Sequence, residues 1–218
     1  MMKRTHLAKW FLLILLPAML CLAGTAVSEA PQRKLTVMVY MCGSNLESAY
    51  GSASADIREM KEANVNRQQV GLLVMTGGSN TEGGYFSAQS NRIIEIAGGR
   101  ERIILEEDAA NMGEQETLAR FIRYGIENRP AERYALILWD HGGGPLEGAC
   151  WDETHENDHL SLAEITGALA EAGMEQKLSW IGFDACLMSS LEVAGQLAPY
   201  ADYMIGSQET EPAFGWNY

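Results

Sequence analysis

Basic residues are scarce in this chain: 16 Lys and Arg stand against 29 Asp and Glu over 218 residues, a formal net charge of −13 at pH 7. A surface of that sign repels phosphate backbones, which excludes nucleic acid as a partner. Cysteine is as rare, four residues in all, and cannot form a disulfide scaffold in a chain of this length. Long apolar runs are missing as well, apart from Phe11–Ala23, which Pro17 interrupts. No stable membrane domain is therefore expected beyond the N-terminal segment. The Gly77-Gly78-Ser79-Asn80 stretch lacks the Lys-Ser or Lys-Thr pair of a phosphate loop, so nucleotide chemistry has no anchor there.

What is present begins with a leader. Lys3, Arg4 and Lys9 precede the apolar run, and small residues follow it at Ala26-Val27-Ser28 and Ser28-Glu29-Ala30. Charged, then greasy, then small is the layout of a secretory signal peptide, here residues 1–28, and it implies an exported protein, whether secreted, periplasmic or held at the cell surface. Acylation of Cys21 and retention as an uncleaved anchor are the alternatives. Loss of Met1–Ser28 leaves 13 basic residues against 29 acidic ones, about −16.

Residues 29–218 have the length of one domain with a single sizeable core. Leu35–Met41, Val70–Met75, Tyr134–Trp139, Leu178–Phe183 and Tyr203–Ser207 read as strands, the apolar runs among them being buried on both faces. Amphipathic helices are predicted between them at 53–63, 114–128, 161–172 and 189–197, the third opened by a Ser161/Glu164 capping box. Strands alternating with helices make a mostly parallel sheet, so the fold class is α/β, a three-layer α/β/α sandwich. Tyr85–Ser87, Arg92–Ile96 and Arg102–Leu105 read as short strands in a small hairpin excursion at one edge. Pro145–Asp158 reads as a polar, acidic loop.

Two of the strands stop at reactive side chains. One runs into Asp140-His141-Gly142-Gly143-Gly144, the other into Asp184-Ala185-Cys186. As parallel neighbours they deliver an imidazole and a thiol to the same sheet edge, where open α/β sheets place their sites. Thiol chemistry needs a partner for the thiol proton and a proton for a departing amine, and this pair supplies both. Glycines from Gly142 onward let a substrate backbone approach and leave N–H groups for a developing oxyanion. Asp184, two residues before Cys186, shares its face if the strand persists, whereas Asp140 points away from His141. On the residues alone, a buried structural thiol and a satisfied core histidine are as good a reading, and Cys42 competes as nucleophile.

Four ordered motifs then carry a resemblance to the clostripain family of cysteine peptidases: Val37-Met38-Val39-Tyr40-Met41 leading to Asn45-Leu46-Glu47, Asp140-His141-Gly142-Gly143-Gly144, Asp184-Ala185-Cys186-Leu187-Met188, and Ser207–Pro212 leading to Gly215-Trp216-Asn217-Tyr218. The resemblance implies a caspase-like sheet, a His141/Cys186 dyad, protein or peptide substrates cut after Arg or Lys, and Asp184 lining the pocket for that basic residue. It implies no required cofactor, with calcium as an option. It also implies a chain that continues past Tyr218. Two departures stand out: no Lys or Arg lies between Gly142 and Asp158, where relatives are cut for activation, and Phe214 stands where some carry a second pocket acid. The rival function is a catalytically silent binding or scaffold protein on the same fold.

Two further readings concern side groups. Cys42 and Cys150 both fall at the active edge, where export would permit a disulfide if they approach closely enough, leaving Cys186 free. Cys150, His155 and His159 are a weak metal set without a fourth ligand, and Asp152, Glu153, Glu156 and Asp158 lack the spacing of a calcium loop.

Overall fold

In the computed structural model, which describes residues 33–212 and 214–218, the apolar run that opens the domain becomes β1 (Leu35–Cys42), buried along nearly its whole length. The leader assigned to residues 1–28 lies outside the described residues. From β1 the chain passes through α1 (Ser44–Ser48) and α2 (Ser52–Glu62) to β2 (Val70–Gly77), β3 (Ser90–Ala97) and β4 (Arg100–Asp108). Next come α3 (Gln115–Asn128), β5 (Tyr134–Trp139), α4 (Gly144–Glu147), β6 (Ala149–Asp152) and β7 (Asp158–Leu160). The order closes with α5 (Leu162–Glu171), β8 (Leu178–Asp184), α6 (Leu191–Leu197) and β9 (Ala201–Ile205).

Seven strands form the main sheet in the order β4-β3-β2-β1-β5-β8-β9. Its body, β2-β1-β5-β8-β9, is parallel, and β3 and β4 add an antiparallel hairpin at one edge. The expected architecture is therefore present. Alternation along β1 and β5 explains the three layers. Met38, Tyr40, Leu136 and Leu138 meet Leu118, Phe121 and Ile122 of α3 and Ile165 of α5. Val39, Met41, Ile137 and Trp139 meet Ala53, Ile57 and Met60 of α2 on the other face. Each such buried aliphatic or aromatic side chain contributes about 1.5–3 kcal/mol by leaving water. The capping box at Ser161 and Glu164 is formed as read, and it fixes where α5 begins.

Two expectations need correction. Tyr85–Ser87 is not a strand; it makes only isolated bridges, because Gly83 and Gly84 take φ of 109° and 62° and turn the chain too tightly. Pro145–Asp158 is not a loop, since it holds α4, β6 and the start of the antiparallel partner β7. Its acids are only partly solvating. Asp152 is fully buried and accepts from the backbone N–H groups of Met112 at 2.7 Å and Thr154 at 2.8 Å, so it is a structural anchor that composition alone disguises. Cys42 and Cys150 are both buried free thiols and no bridge joins them. Cys42 instead donates to the Trp151 carbonyl at 3.3 Å.

Candidate active site

The register of the sheet sets the site. Met41 of β1 pairs with Trp139 of β5, and Trp139 pairs with Asp184 of β8, so three neighbouring strands release their chains at one level. The segments that follow carry Asn45, His141 and Cys186. His141, Asp184, Cys186 and Glu211 line one cavity of about 160 Å³, with Leu46 and Trp139 in its wall. The two sequence-predicted reactive residues are thus brought together, and Asp184 with them.

His141 is half-buried, and burial holds its imidazole below the ordinary histidine range, which favours the neutral form. Its Nε2 lies 2.7 Å from Oδ1 of Asn45. Asp140 does point away, as strand alternation requires. Its buried carboxyl accepts from the Ser44 hydroxyl and from the Trp151 N–H at 2.6 Å. Burial pushes Asp140 up to about 8, although those donors and the His141 N–H pull the other way. Ser44 is held at φ 44°, a left-handed conformation that costs a non-glycine residue about 1–2 kcal/mol.

Cys186 is partly exposed, and its Sγ accepts the Glu211 N–H at 3.2 Å. The competitor Cys42 is fully buried, as is Cys150, and burial pushes both thiols well above the ordinary range; neither lines the cavity. Gly142 packs directly on the Cys186 backbone: a Cβ there would stand 2.1 Å from the Cys186 carbonyl oxygen. Gly142→Ala must push the His141 and Cys186 segments apart. We expect a loss of about 1–3 kcal/mol in denaturant unfolding together with loss of thiol reactivity at Cys186; an unchanged midpoint and reactivity would contradict the packing. Among the described residues, the N–H groups of Gly142 and Cys186 donate to no other group, whereas Gly143 donates to the Gly148 carbonyl at 2.8 Å. The glycine run therefore supplies fewer oxyanion donors than its sequence suggests.

Asp184 is buried and accepts from the Tyr218 hydroxyl at 2.9 Å and the Trp216 N–H at 3.2 Å. Gly182 makes room for this, since a Cβ there would stand 2.7 Å from the Trp216 ring. Burial raises the Asp184 carboxyl, and those donors only partly offset it. Glu211, pushed up to about 6 by burial and by the Asp184 charge, adds a second acid that the sequence reading missed. Its Oε2 is buried without a hydrogen-bond partner. Phe214, where a second acid was sought, is 78% exposed. The Ser207–Pro212 segment returns from β9 over Cys186, with Leu187 donating to the Glu209 carbonyl at 3.0 Å, and so carries Glu211 into the cavity.

Carboxylates of the acidic hairpin have protein partners. Glu153 accepts from the Asn80 N–H at 2.6 Å and from Ser48 at 3.1 Å, and Asp158 accepts from Asn111 at 2.6 Å, so these carboxylates are engaged by protein donors. His155 bonds Asp152 at 3.1 Å, and His159 stacks on Trp151 with ring centroids 4.9 Å apart, so the two imidazoles serve separate neighbours.

Comparison with known proteins identifies the family and the fold. The pattern of the clostripain family of peptidases matches residues 39–218. Clostripain of Hathewaya histolytica is 29% identical over 85% of this chain, which spans 41% of that relative's length. A secreted C11 cysteine protease from Bacteroides thetaiotaomicron, solved with an irreversible peptide inhibitor, superposes with a TM-score of 0.71 at 27% identity, covering 84% of this chain and 51% of its own. An inactive zymogen C11 protease from Parabacteroides distasonis gives 0.65 at 28% identity over 86% and 52% of the two chains.

Proposed function

This chain belongs to the clostripain family, and from that premise we propose that it forms the catalytic part of an exported cysteine endopeptidase in which Cys186 and His141 cut the bond after Arg or Lys. One observation carries the proposal: the thiol, the imidazole and two carboxyls line a single cavity. Neutral His141 accepts the Cys186 proton as sulfur attacks the substrate carbonyl carbon. The oxyanion so formed faces the N–H groups of Gly142 and Cys186. Collapse breaks the C–N bond, and His141 passes its proton to the departing amine. Water, deprotonated by the same imidazole, then hydrolyses the thioester. Asp184 and Glu211 supply the charge that selects a basic residue before the cut. Export is supported by the leader-like composition of residues 1–28 and by a similar protease described as secreted.

The thiol and imidazole supply the chemistry without a metal. A thiol-reactive peptide with Arg before its warhead is expected to label Cys186 in the complete protein, with a chelator present. Labelling lost on chelation would mean that a cation is needed. No labelling under either condition favours the silent scaffold, a reading supported by the absence of Lys and Arg from residues 142–158.

A further inference from the structure

Nothing in the dyad itself fixes which nitrogen of His141 holds the proton, yet catalysis requires a bare nitrogen facing the thiol. The structure assigns that task to the segment after β1. Asn45 presents Oδ1, an acceptor, at 2.7 Å from Nε2. An acceptor there keeps the proton on Nε2 and leaves Nδ1 to take the one from Cys186. We infer that Asn45 is the positioning residue of His141, and that the buried Asp140–Ser44 contact holds Asn45 in place. The inference rests on the dyad reading.

Ser44 makes the arrangement specific. It is buried in a left-handed conformation, tied on one side by its hydroxyl to Asp140 and on the other by its N–H to the Gly78 carbonyl at 3.0 Å. Its own carbonyl accepts the Ser79 hydroxyl at 2.9 Å. These contacts pin the residue just before Asn45 from three directions, so an exposed amide acquires a fixed direction. Asp140, which strand alternation turns away from His141, thus acts on it by way of Ser44 and Asn45. The other titratable groups around the imidazole are Cys186, Asp184 and Glu211 across one cavity and Glu147 across a second, which also contains Asn45 and Trp151.

The test has two independent readouts in the complete protein. Nitrogen NMR of His141 in a Cys186→Ala background should show the Nε2-protonated tautomer, and Asn45→Ala should abolish that preference. Kinetics on an Arg reporter should show kcat falling about 10²-fold in Asn45→Ala with KM within about twofold, as for loss of orientation rather than of substrate contacts. Asn45→Asp keeps the acceptor oxygen and adds charge, so kcat should return to within about tenfold while the acid limb of kcat/KM moves to higher pH. Unchanged kcat and tautomer in Asn45→Ala, or an unmoved acid limb in Asn45→Asp, overturns the inference and leaves the peptidase reading intact. A chain with the Nε2 proton in place but no turnover dependent on Cys186 overturns the peptidase reading, and Asn45's catalytic role falls with it.

Discussion

Cys186→Ala in the complete protein is expected to lower turnover of Arg and Lys reporter peptides at least about 10³-fold and to leave the unfolding midpoint within about a degree of the parent. The two halves of that expectation come from different observations. Chemically, Cys186 is the one thiol of the described three that reaches the cavity shared with His141, so nothing nearby replaces it. Structurally, its sulfur is partly exposed and takes a single N–H, from Glu211. Losing one surface sulfur there costs well under the 2–5 kcal/mol of a large core truncation. Cys42→Ala is the informative contrast: that thiol is fully buried against Gly78 and the Trp151 carbonyl, so stability should fall while kcat per folded molecule stays. Turnover that survives Cys186→Ala would sink the assignment.

Apolar runs that end at reactive side chains were the legible part. A strand buried on both faces announces itself by composition, and a strand end places its last residues at a sheet edge whatever lies between. That is why His141, Cys186 and Asp184 could be named, together with the opposite direction of Asp140. Glu211 was not legible for the complementary reason. It lies beyond β9 in a segment without periodicity, and only the return of that segment over Cys186, fastened by Leu187 to Glu209 and by Trp216 to Asp184, carries it inward. Asn45 belongs to the first of the four ordered motifs, but its contact with His141 crosses 96 residues of sequence. The β6–β7 hairpin was hidden because a buried acid such as Asp152 looks the same in a sequence as a solvated one. Local rules read elements well; they do not say which carboxylates the tertiary structure desolvates.

The two cavity carboxyls give the second large effect, a pH dependence confined to basic substrates. Both have raised proton affinity because both are taken out of water, Glu211 to about 6 with the Asp184 charge adding to the effect. An arginine side chain pairs with the ionised forms, so binding drives off a proton wherever the empty pocket still holds one. Affinity for an Arg peptide should be full above pH 7 and fall as pH drops through about 6, approaching tenfold per pH unit once a single proton must be displaced. The clean measurement is calorimetric binding of an Arg peptide to the Cys186→Ala protein between pH 5 and 8, which takes catalysis out of the profile. The matched norleucine peptide should show no such limb. Asp184→Asn should weaken Arg binding about 10- to 100-fold at pH 7.5, the scale of a lost hydrogen bond to a charged group. Glu211→Gln should weaken it less and move the limb to lower pH, since it removes the acid that burial and the Asp184 charge push up to about 6. Identical pH profiles for the Arg and norleucine peptides would show that the carboxyl pair does not read the side chain before the cut.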